Sequence, residues 1–190
     1  YREQAQGRLS KTHVIRSTGD TGELLIVDAA RILQGDAGPF ELAPGDVIGA
    51  GWFQGSAALA TFVVGQATGN RRVKAVGLDL VQADAIVYLT TKSIKLTVSR
   101  ARPDGGRHSF PSGHAAATFA SATVIHRHFG WTAGIAAYGL GTYVSVSRLL
   151  DANHYPSDVI FGTAIGVMAG RTVTIGRGAA SFDVTPMPVP

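Results

Sequence analysis

Apolar residues recur at helical spacing in successive stretches of this chain, and the pattern predicts an all-α protein. Short runs rich in Gly, Pro, Ser and Asp separate these stretches and are typical of turns. We therefore expect a helical bundle of about five to six helices, with a short β-hairpin or an extended tail at the C-terminus. The helical stretches cover residues 23–33, 47–70, 71–97, 112–129, 131–150 and 156–171.

Individual residues predict where several helices begin and end. The helix that starts at residue 71 should end near Pro103, because the residue before a proline is pushed out of helical geometry. The next should begin at Ser112 or His114, since serine is a good N-cap, and Gly130 should break it. Pro156 fits the first turn of the last helix. Strand-like alternation over residues 172–184 predicts the hairpin or tail.

Residues 47–70 contain no charged side chain and are long enough for a membrane span. Five glycines and the polar residues Gln54, Ser56 and Gln66 weaken that interpretation. A buried central helix or a broken helix pair is favoured over a span. The next helix carries charges along its whole length, which would be costly in hydrocarbon, so one of its faces should lie in water.

The length of 190 residues predicts one domain, with a polar arm (1–22), a helical core (46–171) and a tail (172–190). The chain has no cysteine, which excludes disulfides and thiolate metal sites. It begins at Tyr1 in a polar stretch, as a protein trimmed of an export signal or cut at an arbitrary boundary would. The net charge is +4, yet no basic run with interleaved aromatics occurs, so we expect no nucleic-acid partner.

Three polar clusters interrupt the apolar pattern between residues 95 and 158. Together they supply three permanent cations, two histidines, two hydroxyls and one carboxylate, a set that core packing does not require. The clusters are Lys95 with Arg102 and Pro103; Pro111, Ser112, Gly113 and His114; and Ser147 and Arg148 with His154 and Asp158.

In the first cluster Lys95 and Arg102 are seven residues apart, nearly two helical turns, so both side chains can point to one side of a helix end. Arginine suits a bidentate grip on phosphate oxygens, and lysine acts as a point charge. The alternative for the pair is a solvated basic helix end. We interpret Arg100 in that way.

The second cluster places a hydroxyl, a glycine and a histidine where a helix begins. Free backbone amides and the positive end of the helix dipole attract anions there. Gly113 would let the backbone approach a ligand closely. Taken alone, the pattern fits an ordinary N-cap at Ser112 with a surface histidine, His114, equally well.

In the third cluster His154 and Asp158 are four residues apart at the start of a helix, so they should be neighbours on its face. A carboxylate bonded to one imidazole nitrogen fixes the tautomer and leaves the other nitrogen as a nucleophile. A lone pair of this kind is more often a surface pair. Arg148, across a short turn, adds a cation, and we interpret the three clusters as one phosphate-handling site.

The remaining histidines are interpreted as peripheral. His126 and His128 lie at a helix C-terminus and should be solvated there. His13 lies in the arm, and His108 lies between clusters, where only a rim position is suggested. A metal site is not expected, because no helix has two histidines four apart and no histidine has a dense carboxylate cluster beside it.

The ordered trio resembles the signature of the type 2 phosphatidic acid phosphatase superfamily, which also includes bacterial nonspecific acid phosphatases and vanadium haloperoxidases. All eleven specified positions are present between Lys95 and Asp158. The turn 151–153 resembles that of exported bacterial members more than that of membrane lipid phosphatases. The arm and the tail have no counterpart that we can assign.

The resemblance implies that His154 attacks phosphorus to form a phosphohistidine, with Asp158 orienting it. It implies that His114 protonates the leaving alcohol and then activates water. The phosphoryl oxygens would be held by Lys95, Arg102, Arg148, Ser112 and Gly113. The implied mechanism requires no metal or other cofactor, and vanadate, which mimics phosphate, should inhibit it. His154 should start neutral and His114 charged, which predicts a bell-shaped pH profile.

We therefore expect a metal-independent phosphatase, exported and periplasmic or membrane-associated, either soluble or membrane-peripheral. Its substrate would be a lipid phosphate, an isoprenoid diphosphate or a soluble phosphoester. An integral membrane lipid phosphatase, spanning at 47–70 and 129–147, is the alternative of the same class. A vanadium haloperoxidase is the alternative chemistry, although the chain is short for one. A non-catalytic anion-binding or interaction domain is the last alternative. Such a domain would need the cations but not both histidines and Asp158.

Overall fold

Residues 43–176 are described by the structure, a computed structural model, and they form six α-helices with no strand in this range. The helices are α1 Ala43–Gly49, α2 Gly51–Ala67, α3 Arg71–Val98, α4 Gly113–Phe129, α5 Trp131–Leu150 and α6 Pro156–Val173. The predicted all-α fold is confirmed. The arm, the predicted helix at 23–33 and the strand at 181–184 lie outside the described residues.

Several helix ends lie where the sequence predicts them. Ser112 is the N-cap of α4, and its Oγ accepts a hydrogen bond from the Ala115 amide at 3.4 Å. Gly130, with φ of +81°, separates α4 from α5 in a conformation that favours glycine. Pro156 is the first residue of α6. Local chemistry is sufficient at these points because each boundary depends on one residue's backbone preference.

Two predicted boundaries are wrong. α3 ends at Val98 rather than near Pro103, because Ser99 adopts a left-handed conformation with φ of +48° and closes the helix through its amide to the Lys95 carbonyl. Arg102 therefore lies in a loop. Residues 172–175 do not form a strand: α6 continues to Val173, and residues 174–176 form a turn.

α4 lies at the centre of the described bundle, with α3, α5 and α6 packed around it. The core between α3 and α4 is built from small residues, including Ala83, Val87, Ala116, Ala120 and Val124. Small side chains let the helix backbones approach closely. The two helices are therefore held by van der Waals contacts of main-chain atoms as well as of side chains.

A stripe of glycines brings α6 against α4. A Cβ atom on Gly162 would collide with the Ser112 carbonyl, and one on Gly166 with the Ala116 carbonyl. One on Gly170 would lie 2.6 Å from the Thr123 Cβ. The glycines recur every four residues and so share one face of the helix. This stripe fixes the start of α6 beside the start of α4.

α2 and α3 cross in the same manner. A Cβ atom on Gly65 would collide with the backbone of Lys74, and one on Gly77 with the backbone of Phe62. Each glycine therefore makes room for the main chain of the other helix.

The uncharged stretch 47–70 is a broken helix pair, one of the two forms that its composition favours, with the break at Ala50. The prediction of a buried central helix is wrong, since within α2 only Ala58 and Gly65 are buried. Trp52 is 68% exposed and Leu59 is 56% exposed. None of the helices in residues 43–176 is long and apolar enough to cross a membrane.

Candidate active site

The three polar clusters meet at one end of the bundle. The amide of Ser112, before α4, donates to the carbonyl of Asp158 in α6 at 2.9 Å. The loop after α3 is fastened to the turn before α6 by the Asp104 amide, which donates to the Ala152 carbonyl at 3.1 Å. These main-chain bonds bring the end of α3 and the starts of α4 and α6 into one site.

Lys95 lies in the last turn of α3 and reaches into the loop that follows. Its Nζ donates to the carbonyls of His108 at 2.6 Å and Ser109 at 3.4 Å. The His108 ring nitrogen Nδ1 is 3.0 Å from the Lys95 carbonyl, so His108 helps to hold the loop. Burial, and then the charge of Arg102, lower the pKa of Lys95 to about 8, which leaves it mainly cationic at neutral pH.

Arg102 approaches the site from the loop and not from the helix that carries Lys95. Its Nη1 donates to Asn153 at a long 3.4 Å. Its buried Nε has no hydrogen-bond partner within residues 43–176. A guanidinium with unfilled donors beside two other clusters is suited to an oxyanion.

Asp158 is fully buried and closely surrounded by donors. It accepts hydrogen bonds from Arg100 Nη1 at 2.9 Å, from the Tyr155 amide at 2.9 Å and from the Ser109 hydroxyl. Burial alone would raise the pKa of Asp158, but the hydrogen bonds from His154, Ser109 and Tyr155, with the charge of Arg100, hold it below its ordinary value. The carboxylate is therefore ionised.

The interpretation of Arg100 as a solvated side chain is wrong. Its guanidinium lies 4.0 Å from the centre of the Tyr155 ring and donates to Ser157 Oγ at 2.8 Å, as well as to Asp158. Arg100 and Ser109 are functional-site residues that the sequence analysis missed. The signal available was their position in the linker between two motifs, which does not show where their side chains point.

His154 lies in the turn before α6 rather than on the helix itself. It is buried, with its Nδ1 3.5 Å from Asp158 Oδ2 and 3.5 Å from Ser109 Oγ. Burial lowers the pKa of His154, and the charges of Lys95 and Arg102 add to the effect, while Asp158 opposes it. The imidazole is thus neutral at neutral pH, and the nitrogen opposite Nδ1 faces away from Asp158.

Ser112 and Gly113 form the start of α4 in different ways. Ser112 is fully buried, and its oxygen is used as the helix cap, so its assignment to phosphate stays a prediction. Gly113 borders a groove, and a Cβ atom there would meet nothing within 4 Å. The space before the first amide of α4 is therefore open to a ligand.

His114 contacts α1 through Asp46, a residue that the sequence analysis missed. Its Nε2 is 3.1 Å from Asp46 Oδ1 and 3.2 Å from the Asp46 carbonyl. Burial first, and then the charge of Arg148, lower the pKa of His114 to about 4, although Asp46 opposes both. The protein's own groups therefore leave His114 neutral at neutral pH, contrary to the charged state expected from the sequence.

Arg148 is buried and bound by two carboxylates. Its Nη1 donates to Asp46 at 2.5 Å and its Nη2 to Asp151 at 2.7 Å. The Nε atom has no partner among the described residues. Asp46 thus bridges Arg148, which the resemblance assigns to the phosphoryl oxygens, and His114, which it assigns to proton transfer.

A groove of about 610 Å³ leads from these residues along α3. Lys95, Gly113 and His114 line one end of it, and the remaining wall is mainly apolar. The other lining residues are Gly49, Gly51, Trp52, Asp84, Ala85, Val87, Tyr88, Thr91, Lys92 and Ala117. The site can therefore accept a phosphate attached to an apolar group.

Two histidines interpreted as solvated are instead packed at the far end of α4. His128 Nε2 lies 2.7 Å from the fully buried Asp79 carboxylate. His126 stacks against Trp131 with ring centres 4.0 Å apart. They join α4 to α3 and α5 and take no part in the site.

Residues 104–180 match the model of the PAP2 superfamily, which spans the second and third clusters. The match to the PAP2 superfamily thus covers the part of the chain that holds His114, Arg148, His154 and Asp158. The resemblance found in the eleven signature positions is thereby confirmed.

Curated relatives of the PAP2 domain are phosphatases. Lipid A 1-phosphatase of Porphyromonas gingivalis is 38% identical over 82 residues, which are 40% of this chain and 18% of the relative. Decaprenylphosphoryl-5-phosphoribose phosphatase of Mycobacterium tuberculosis is 36% identical over 96 residues, which are 45% of this chain and 52% of the relative. The chain thus spans about half or less of the length of these proteins.

Solved structures share the architecture of this chain. Aquifex aeolicus LpxE has a TM-score of 0.66 at 19% identity, covering 79% of this chain and 93% of that one. A transmembrane PAP2 type phosphatidylglycerolphosphate phosphatase from Bacillus subtilis has a TM-score of 0.67 at 22% identity, covering 87% and 90%. At these identities the likeness shows the fold alone.

Proposed function

We propose that this PAP2 protein is a phosphatase that hydrolyses phosphate monoesters of apolar alcohols, lipid phosphates above all, through a phosphohistidine intermediate. The observation that carries the proposal is the buried, neutral His154 held against the ionised Asp158, with the charges of Lys95 and Arg102 acting on it. A neutral imidazole has the lone pair that a nucleophile needs.

In the first step the Nε2 lone pair of His154 attacks phosphorus, a P–N bond forms and the P–O bond to the alcohol breaks. The electron pair of that bond leaves on the alcohol oxygen, which takes the proton of His114. The imidazole of His154 becomes cationic, and Asp158, close to Nδ1, stabilises that charge.

The three equatorial oxygens of the phosphoryl group carry the developing negative charge. Arg102 offers unfilled donors, Lys95 a cation at the groove end, and the first amides of α4 a helix N-terminus. Arg148 contributes when the phosphate replaces Asp46 on its guanidinium. The dianionic phosphate also raises the pKa of His114, which supplies the proton needed for the leaving alcohol.

In the second step neutral His114 takes a proton from water as the water oxygen attacks phosphorus. The P–N bond breaks, its electron pair returns to His154, and inorganic phosphate leaves. Donors from Lys, Arg and the helix N-terminus oppose the negative charge throughout, so the proposed cycle requires no metal ion. No cluster suited to holding a metal occurs in residues 43–176.

The apolar groove and the exposed apolar side chains support two further parts of the proposal. The substrate is a lipid, and the protein acts at a membrane surface of the cell envelope. Trp52 lines the groove and is exposed, and Trp131, Ile135, Ile160 and Met168 are each more than 60% exposed elsewhere on the bundle. Exposed apolar side chains beside an apolar groove, as Trp52 is here, are typical of membrane or partner contact sites. The curated relatives named for lipid phosphates share this domain.

The decisive experiment compares phosphate release by wild type, His154→Ala and His114→Ala, with EDTA and with vanadate. We expect EDTA resistance, vanadate inhibition and losses of about 10³-fold or more for each histidine, since one substitution removes the nucleophile and the other removes the group that transfers the proton. Thermal melts of all three proteins control for folding. Full activity in His154→Ala would remove the nucleophile assignment, and halide oxidation with vanadate and peroxide in place of hydrolysis would favour the haloperoxidase.

A further inference from the structure

One face of α3 runs along the groove away from the phosphate end. Asp84, Tyr88, Thr91 and Lys95 are spaced four, three and four residues apart, which is the repeat of a single helix face, and all four line the groove. Asp84 lies eleven residues before Lys95 in α3, a helix rise of about 16 Å. A ligand held by its phosphate at Lys95 would reach Asp84 with its distant part.

Asp84 is an acid in an apolar setting. Both carboxyl oxygens are buried, and neither has a hydrogen-bond partner within residues 43–176. The Thr91 hydroxyl, on the same face, donates to the Val87 carbonyl at 2.7 Å and so does not serve Asp84. Burial raises the pKa of Asp84 to about 7. The phosphatase steps proposed above make no use of this residue.

A buried acid without a partner destabilises the fold, because its hydration is lost and not replaced. Core packing does not require it, since leucine would fill similar space on the groove wall without that cost. A polar group placed in an otherwise apolar pocket typically fixes the orientation of a ligand.

We propose that the groove along α3 is the subsite for the leaving group, and that Asp84 determines specificity by hydrogen-bonding a hydroxyl or ammonium group on an otherwise apolar chain, about 16 Å along α3 from Lys95. The inference rests on the proposed function for the position of the phosphate. The favoured ligand is thus a long-chain phosphate ester that carries a donor far from its phosphate.

The test uses three phosphonates that resist hydrolysis, each with a saturated chain of about twelve carbons that ends in a methyl, a hydroxyl or an ammonium group. Their dissociation constants are measured by calorimetry on wild type, Asp84→Leu and Asp84→Asn. We expect wild type to bind at least one of the two polar-ended ligands about tenfold more tightly than the methyl-ended one. Asp84→Leu should reverse that order.

The two polar-ended ligands separate hydrogen bonding from charge. Asp84→Asn keeps an acceptor but no charge, so it should keep a preference for hydroxyl and lose one for ammonium. Gln82→Leu, an exposed position on the same helix that is not among the groove residues, is the matched control and should keep the wild-type order. An Asp84→Leu protein with the wild-type order, or a wild type that prefers the methyl-ended chain, would overturn the inference.

Binding of phosphonates does not depend on turnover, so the two proposals fail separately. Hydrolysis of phosphate esters without any end-group preference would leave the phosphatase proposal standing and remove the role of Asp84. If the protein shows an end-group preference that depends on Asp84 but releases no phosphate, the role of Asp84 stands and the phosphatase proposal is removed.

Discussion

At the scale of the residue, the proposed mechanism gives the two site histidines different tasks, and both have lowered pKa values. His154 must be neutral to attack phosphorus, and burial favours that state. His114 must be protonated to serve as an acid, and burial with Arg148 lowers its pKa to about 4. The substrate's own charge is therefore part of the catalytic arrangement, since it favours the protonated form of His114.

The pH dependence should show this coupling. In the free protein His114 loses its proton as pH rises through about 4. We therefore expect kcat/KM to fall as pH rises above about 4, which is below the pH at which an ordinary histidine loses its proton. Bound phosphate raises that pKa, so the alkaline limb of kcat should lie at higher pH than the limb of kcat/KM. Steady-state rates from about pH 4 to 9 measure both limbs. A flat profile, or limbs that coincide, would contradict the assignment.

Asp46 should compete with phosphate for Arg148. Its carboxylate bonds Arg148 and lies beside His114, where the motif expects a phosphoryl oxygen. Asp46→Asn should tighten vanadate inhibition by about tenfold, because the competing charge is gone and a like-charge repulsion is removed. Asp104→Asn, at an exposed loop position, is the control for a general change of charge. Unchanged or weaker inhibition in Asp46→Asn would show that Asp46 supports the site instead.

At the scale of the element, the glycine stripe of α6 determines whether the clusters meet. It lets α6 lie against α4 closely enough for the Ser112 amide to bond the Asp158 carbonyl. The spacing of four was visible in the sequence, but glycines at that spacing occur in helices for several reasons. What they contact follows only from the packing of α6 on α4.

Replacing Gly166 by alanine should therefore destabilise the bundle. The new Cβ would collide with the Ala116 carbonyl, and overpacking of this kind typically costs about 1–3 kcal/mol. Gly139→Ala is the matched control, because a Cβ there meets nothing within 4 Å and the helix gains about 0.5–1 kcal/mol from the loss of glycine. Urea unfolding of both variants measures the free energies. Equal stability of the two would show that α4 and α6 do not pack as described.

At the scale of the whole molecule, the bundle has cationic side chains at one end and a mainly apolar groove beside them. Lys95, Arg102 and Arg148 gather where three helix ends meet, and a mainly apolar groove leads away from them. The exposed tryptophans of α2 and α5 add further apolar surface outside the charged end. A phosphate ester with an apolar tail fits both parts of this molecule.

The sequence determined the helical class and the helix ends at Ser112, Gly130 and Pro156, because each of these depends on local backbone preference. It also named the candidate residues of the three polar clusters from their chemistry, and their roles stay a prediction. It did not determine the exposed face of α2 or the packing of His126 and His128, and Pro103 as a stop signal placed the end of α3 too late although the helical pattern ended at residue 97. The first two depend on which surfaces neighbouring helices cover.

Only the tertiary structure showed that Arg100 and Ser109 hold Asp158 and that Asp46 reaches Arg148. It also showed that Asp84, on the groove wall, has no hydrogen-bond partner among residues 43–176. The pairs Arg100–Asp158 and Asp46–Arg148 join residues that are 58 and 102 positions apart in the chain. No local pattern encodes such contacts. They arise because small residues let α6 and α3 pack against α4, and that packing also decides which charges lie close enough to shift the pKa values of the two histidines.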